Sequence, residues 1–215
     1  MKISRILVSQ PKPASDKSPY FEIAKKHNVD VVFRPFIKVE SITPKEFRAQ
    51  KVNILDHTAI VFTSRHAVDH FFQLCQEMRV AIPEDMKYFC TNEKVAMYLQ
   101  KHIVFRKRKI FFGNGTADSI ISQIGPKHVE DKFLITTSDS SSDTLSKLFE
   151  ERGLTYKSAV FIKSVSQDLK DLDLSTYDAV VFHNPADVKS LLENFPDFKQ
   201  GDLKFISYGK SIVKA

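Results

Sequence analysis

The chain has 215 residues, of which 42% are hydrophobic and 27% charged, a composition typical of one large or two small globular domains. Lys and Arg outnumber Asp and Glu by 32 to 26, and the net charge of +6 favours an anionic partner. No apolar run approaches the roughly 18 residues of a membrane span. The two cysteines, Cys75 and Cys90, form no motif, which indicates buried thiols in a reducing cytoplasm.

One pattern recurs along the chain: a short apolar run, a polar turn, and then apolar residues at three-to-four spacing. Ser, Thr, Asp and Asn in the turns accept the free backbone N–H groups of a following helix. The apolar runs predict strands at Ile6–Val8, Val29–Phe33, Ala59–Phe62, Lys87–Cys90, Ile103–Phe105, Lys109–Phe112, Phe133–Ile135, Ala159–Ile162, Ala179–Phe182 and Phe205–Ile206. The helical patterns lie at 21–27, 93–101, 144–152, 188–195 and 212–215, with a further helix start at Pro44. This alternation predicts an α/β protein with parallel sheets.

Two strand–turn–helix segments, 59–72 and 179–192, match each other, as two similar domains would. The segments before residue 38 and after residue 165 are each too short to bury a core. We therefore expect them to pair as a discontinuous first domain, 1–38 plus 163–215, with 42–158 as the second domain. The crossings, near Phe36–Ser41 and Phe161–Val165, are rich in β-branched residues and predict a two-stranded hinge.

Several catalytic and binding signatures are missing from the sequence. There is no Walker loop and no G-x-G-x-x-G after a strand, and Gly113-Asn-Gly115 is typical of a turn. No G-x-S-x-G motif marks a nucleophile. His66 and His70 have the spacing of two metal ligands, but without a third ligand solvated helix positions are favoured and no metal is expected.

The basic run Arg106–Lys109 is compatible with nucleic acid, but a solvated turn between strands is favoured because no nucleic-acid-binding module accompanies it. In parallel sheets, ligands lie beyond the carboxyl ends of the strands. The turns SQPKP, TSR, TN, TTSDS, HNP and SYGKS occupy those positions. Capping alone remains the alternative explanation for each turn.

The order and spacing of several short motifs resemble the uroporphyrinogen-III synthase family over nearly the whole chain. These motifs are Phe62-Thr63-Ser64 with Ala67-Val68, Arg34-Pro35, Phe182–Pro185 and Ile206–Gly209. The resemblance implies two α/β domains, the first discontinuous, joined by a two-stranded linker. It also implies a cofactor-free hydro-lyase that closes hydroxymethylbilane, a linear tetrapyrrole polyanion, with inversion of the last pyrrole ring. The family's reaction loses the terminal hydroxyl and passes through a spiro intermediate.

The resemblance further implies a monomer without nucleic-acid or membrane partners, supplied by the upstream hydroxymethylbilane synthase. Substrate carboxylates would be held in a cleft between the domains by backbone amides, with hydroxyls such as Thr63 and Ser64 donating hydrogen bonds. The implied substrate-binding residues are Thr63, Ser64, Arg65, Thr91, Lys94, Ser138, Asn184, Lys210 and Ser211. Among them, Arg65, Lys94 and Lys210 would supply positive charge. No residue is assigned as catalytic.

The sequence departs from the family pattern at several points. The region Ala159–Lys163 lacks a Tyr that the family often has near the second crossing. Asn184 stands where a Ser is common, and Gly209 is followed by Lys210, Ser211 and Ile212 instead of Pro and paired threonines. The sequence stops inside the helix that the family continues, so we expect the C-terminal part of the first domain to be truncated. These departures leave open a non-catalytic homologue that binds tetrapyrroles or other anions.

Overall fold

The computed structural model describes residues 3–141 and 143–207. The strands are β1 (Arg5–Val8), β2 (Asp30–Phe33), β3 (Ile37–Ser41), β4 (Ala59–Phe62), β5 (Lys87–Cys90), β6 (Ile110–Phe112), β7 (Phe133–Ser138), β8 (Tyr156–Ser166), β9 (Ala179–Phe182) and β10 (Lys204–Ser207). The α-helices are α1 (Pro19–His27), α2 (Pro44–Ala49), α3 (Arg65–Glu77), α4 (Glu93–Tyr98), α5 (Ala117–Gln123), α6 (Thr144–Glu151) and α7 (Pro185–Asn194).

The chain divides into two compact units, with boundaries between Val39 and Glu40 and between Lys163 and Ser164. Unit 1 contains the segments before the first boundary and after the second, and unit 2 contains the segment between them. The chain leaves unit 1 within β3 and returns within β8, and these two strands are neighbours in one sheet.

Unit 1 has a sheet in the order β10-β9-β1-β2, and each neighbouring pair is parallel. Leu7 in β1 lies between Val32 of β2 and Val180 of β9. Leu7, Val180, Phe182 and Leu191 of α7 are buried together in one hydrophobic cluster. Burial of this apolar surface is the main stabilising contribution to the unit.

Unit 2 is built on a sheet in the order β3-β8-β7-β4-β5-β6, in which β4 to β8 form parallel pairs. All four residues of β4 are buried, as expected for a central strand with both faces covered. One hydrophobic cluster contains Phe62, Phe71 and Phe161, and a second contains Phe89 and Phe133. The predicted α/β class with parallel sheets is therefore confirmed.

Both cysteines are buried thiols in unit 2. Burial raises the pKa of Cys75 and that of Cys90 to about 12 each. Because the thiolate is the reactive form, neither thiol is poised as a nucleophile.

The predicted strand Ile103–Phe105 is wrong. These residues form an irregular segment between a short 3-10 helix, Leu99–Lys101, and another, Lys107–Lys109. Ile103 and Phe105 are apolar because they pack on the larger core cluster of unit 2, which requires burial but no strand pairing. The basic run Arg106–Lys109 therefore lies in the connection from α4 to β6 and not in a turn between two strands. The predicted helix at 212–215 lies outside the described residues.

Candidate functional site

A pocket lies in unit 2 where the carboxyl ends of β4, β5 and β7 meet. These strands are adjacent and parallel, so their following turns share one edge of the sheet. The pocket is open and has an empty volume of about 660 Å³. Its lining consists of Thr63, Thr91, Ala117, Ile120, Ile135, Thr136, Thr137, Ser141, Thr144, Leu145 and Ser146. Seven of the eleven are Thr or Ser, so hydroxyl groups dominate the polar surface.

Thr63 and Thr91 are two predicted site residues that the structure brings together. Thr63 follows β4 and is exposed, while Thr91 follows β5 and is half-buried. The Thr91 hydroxyl donates a 3.1 Å hydrogen bond to the Thr63 carbonyl oxygen, and the Thr91 amide donates one of 3.1 Å to the Phe62 carbonyl oxygen. These bonds join the two strand ends and fix this part of the rim.

The carboxyl end of β7 and the turn after it supply further hydroxyls, of which two, both in β7, already hold the sheet together. Thr136 donates to the Val61 carbonyl oxygen at 2.8 Å, and Thr137 donates to the Ala159 carbonyl oxygen at 2.9 Å. Ser141 lines the pocket, and its Oγ accepts a 2.8 Å bond from the Ser138 amide. Ser138, a predicted site residue, therefore stabilises the turn but does not itself line the pocket.

The first turn of α6 faces the same pocket through Thr144 and Ser146. The first backbone N–H groups of a helix have no partner within the helix and carry partial positive charge. Asp143, which precedes the helix, makes no side-chain capping bond. This arrangement suits an anionic group of a ligand.

Besides Ser138, three predicted site residues of unit 2 do not line the pocket. Ser64 is the N-cap of α3, and its Oγ accepts a 3.1 Å hydrogen bond from the Ala67 amide. Arg65 is exposed, and its guanidinium carbon lies 5.8 Å from the centre of the Tyr98 ring, a cation–π contact. Lys94 is exposed in the first turn of α4.

The corresponding edge of unit 1 carries a buried carboxylate at the start of α7. Asp187 is fully buried, and its Oδ2 accepts hydrogen bonds from the Ser9 hydroxyl at 2.7 Å and from the amides of His183 and Asn184. The Asn184 side chain accepts from the Asp187 amide at 3.0 Å, so this predicted site residue is a helix cap. Asp187 Oδ1 is buried and has no hydrogen-bond partner among the described residues.

His183 stands beside this carboxylate, and its Nε2 lies 3.1 Å from the Tyr20 hydroxyl. Burial lowers the pKa of His183, and the nearby Asp187 opposes this only in part. The imidazole is therefore neutral near pH 7. The other two predicted residues of this edge, Lys210 and Ser211, lie outside the described residues.

Sequence reasoning missed several of these residues. The TTSDS turn was recognised, but its threonines and the hydroxyls of Ser141, Thr144 and Ser146 were not singled out. Nor were Ser9 and the buried Asp187, although a Pro at the first helical position and an acid two residues later are signals of a capped helix start.

The pocket offers hydrogen-bond donors and a helix N-terminus, and it contains no charged side chain. No group of three His, Cys, Asp or Glu side chains suited to a metal occurs within residues 3–141 and 143–207. In the same ranges no helix is both long and apolar enough to span a bilayer. Hydrogen bonding and positioning are therefore the chemistry that this site supports.

Comparison with known proteins identifies the family. The sequence profile of the family described as uroporphyrinogen-III synthase HemD (HEM4) matches residues 18–215. The fold is similar to a uroporphyrinogen-III synthetase from Helicobacter pylori, with a TM-score of 0.58 and 16% identity over 98% of this chain and 86% of that one. It is also similar to a mutant uroporphyrinogen III synthase from the bacterium Thermus thermophilus, with a TM-score of 0.56 and 15% identity over 98% and 87% of the two chains. A search of curated proteins by sequence finds no match. The resemblance is confirmed, and the chain belongs to the uroporphyrinogen-III synthase family.

Proposed function

We propose that this chain catalyses the uroporphyrinogen-III synthase reaction of haem biosynthesis, the closure of hydroxymethylbilane with inversion of its last pyrrole ring. The observation that carries the proposal is the match of the family profile to residues 18–215. The hydroxyl-lined pocket at the carboxyl ends of β4, β5 and β7 supports it, because ligands of parallel sheets bind at that edge.

The substrate carries acetate and propionate groups, and carboxylates are good acceptors for the hydroxyl and amide donors of this pocket. Thr63 suits this role because its side chain is exposed and its hydroxyl makes no hydrogen bond to a described residue. Thr144 and Ser146 place the N-terminus of α6 beside the same space. The net charge of +6 favours approach of a polyanion.

The reaction breaks the terminal C–O bond, and the oxygen leaves with a proton as water. The carbocation that forms is stabilised by its own pyrrole, so the step needs neither a protein nucleophile nor a metal. The last ring then attacks through its substituted carbon to form the spiro intermediate, which reopens and closes in the inverted order. The final closure releases a proton, which balances the one taken up by the leaving hydroxyl. The contribution required from the protein is control of geometry, which holds the reacting carbons close in the correct orientation. We accordingly propose a cofactor-free hydro-lyase.

The finer assignments follow from the family and remain part of this proposal. The substrate would be supplied by hydroxymethylbilane synthase, and the enzyme would act as a cytoplasmic monomer. Among the predicted contacts, we propose Thr63 and Thr91 as substrate-binding residues in the pocket and assign Ser64 and Asn184 to helix capping. Arg65, Lys94, Lys210 and Ser211 are retained as predicted contacts for carboxylates.

The experiment is an isomer assay with freshly generated hydroxymethylbilane. After oxidation, type I and type III uroporphyrins are separated chromatographically, with a protein-free reaction as the control. We expect the type III isomer in excess over the control, in proportion to the amount of protein. Exclusive formation of type I by folded protein would contradict the proposal. Calorimetric binding of uroporphyrinogen without turnover would favour the non-catalytic homologue instead.

A further inference from the structure

A second pocket lies at the opposite edge of the unit 2 sheet, where β5 and β6 begin. Its empty volume, which includes open solvent, is about 590 Å³. Its lining consists of Ile82, Pro83, Glu84, Met86, Tyr88, Ile103, Val104, Arg106, Lys109 and Ile110. The irregular segment that was wrongly predicted as a strand forms one wall. None of these residues lines the pocket at the carboxyl ends of the strands.

Tyr88 is the polar group that this pocket leaves unsatisfied. The residue is only 4% exposed, and its ring packs against Phe62 and Phe72. Tyr88 borders the pocket, and no described residue hydrogen-bonds its hydroxyl. Burial raises the pKa of Tyr88, so the group stays protonated and can act as a donor. The pocket that the side chain borders is where an acceptor can reach it.

The charges at the pocket rim do not cancel. Arg106 pairs with the Glu84 carboxylate at 2.9 Å. Lys109 donates to the backbone carbonyl of Glu84, a neutral group, so its positive charge is not neutralised there. With one acid and two bases in the lining, the pocket carries a net charge of +1. A ligand with a single negative charge is complementary to it.

The remaining lining is apolar, and part of it is exposed. Val104 is 79% exposed, and Ile82, Pro83 and Ile103 border the same space. An apolar ring placed there would remove this surface from water, at a gain of about 25 cal/mol per Å².

We propose that this pocket is a second ligand site of unit 2, which binds a small aromatic monocarboxylate. The ring occupies the apolar lining beside Val104, the carboxylate faces Lys109, and the Tyr88 hydroxyl donates to an oxygen of the ligand. The site is separate from the proposed synthase pocket, and its existence does not depend on the proposed function.

The test is a titration of the ¹⁵N-labelled full chain with 1-naphthoate, followed by two-dimensional NMR, with the uncharged 1-naphthalenemethanol as the comparison probe. We expect 1-naphthoate to shift the amide signals of residues 82–88 and 103–110 and to bind more tightly than the alcohol. Tyr88→Phe should weaken binding about 3- to 10-fold, the effect of one hydrogen bond. Lys109→Met should weaken 1-naphthoate but leave the alcohol unchanged.

Tyr156→Phe is the matched control, because Tyr156 is a partly buried tyrosine packed on the other core cluster of unit 2. It should leave the affinity unchanged, and the NMR spectrum of each variant reports whether it is folded. Absence of shifts in these two segments up to the solubility limit would overturn the proposal. Equal affinity of folded Tyr88→Phe and wild type, or equal binding of both probes, would overturn it as well.

Discussion

The Ser9 hydroxyl donates a 2.7 Å hydrogen bond to Asp187 Oδ2 across 178 positions of sequence. It joins the carboxyl end of β1 to the first turn of α7, and both partners are buried. The same oxygen accepts the amides of His183 and Asn184, so one carboxylate satisfies three donors at the carboxyl edge of the unit 1 sheet. A buried polar group of this kind is tolerated only when such bonds compensate its desolvation.

Asp187→Ala should therefore destabilise the protein strongly. It leaves a hydroxyl and two amides without their acceptor, and we expect a loss of about 3 kcal/mol in the free energy of unfolding. Ser9→Ala removes one of the three donors and should cost about 1 kcal/mol. Urea unfolding monitored by circular dichroism measures both changes. Asp197→Ala, at an exposed position of the same unit, is the control and should leave the urea midpoint unchanged. Equal midpoints for Asp187→Ala and the control would contradict this role.

Thr63 and Ser64 are adjacent but should respond differently to replacement by Ala. Thr63 is exposed at the pocket and donates to no described residue, so Thr63→Ala should lower type III formation about tenfold, with an unchanged urea midpoint. Ser64 caps α3, so Ser64→Ala should cost about 1 kcal/mol of stability. Thr63→Ser keeps the hydroxyl and should retain activity. Full activity of Thr63→Ala, measured by the isomer assay, would show that Thr63 makes no contact with substrate.

Asp131 should make the stability of unit 2 depend on acid pH. Burial alone would raise the pKa of Asp131, but hydrogen bonds from Lys87, Thr58 and His128 outweigh this effect and hold the pKa below its ordinary value of 3.8. Because the pKa is lower in the folded state, this stabilisation is complete above about pH 4 and is lost as the pH falls through the folded value.

Asp131→Asn should accordingly be less stable than wild type at pH 7, and the difference between their urea midpoints should shrink as the pH is lowered below 4. Asp197→Asn is a suitable control because that side chain is exposed. A difference between Asp131→Asn and wild type that stays constant from pH 7 to pH 3 would show that the carboxylate is not held by its partners.

The strands that could be predicted from sequence are those in which the local pattern of apolar and turn residues agrees with the pairing found in the fold. Lys87–Cys90 and Ala179–Phe182 were predicted with the bounds that the structure gives, because each is a short apolar run closed by a helix-capping turn. Ile103–Phe105 is also a short apolar run but is not a strand. Burial explains the apolar residues in both cases, and only the tertiary contacts decide whether a buried segment also pairs with a neighbouring strand. The two-stranded hinge stays a prediction.

The candidate site was predicted less completely than the fold, for a related reason. The sequence identifies hydroxyls in turns after strands, but it does not show where each oxygen points. Ser64 and Asn184, which were predicted as substrate contacts, accept helix amides, whereas Thr63, next to Ser64, lines the pocket. The bond between Asp187 and the Ser9 hydroxyl could not be predicted, because only the fold brings these two residues together.

Gly113 connects β6 to α5 at the edge of the sheet that carries the pocket, and it should not tolerate a side chain. A Cβ at this position would lie 2.1 Å from Ser119 Oγ and 2.9 Å from the Ser119 carbonyl carbon, distances that require the backbone of α5 to move. We expect Gly113→Ala to cost about 1 to 3 kcal/mol of stability and to reduce type III formation, because Ala117 and Ile120 of α5 line the pocket. Gly125→Ala is the matched control, since a Cβ there meets nothing within 4 Å and its φ of −78° suits any residue. Equal thermal and urea stability of the two variants would show that α5 shifts freely, and would remove the reason for treating this wall of the pocket as rigid.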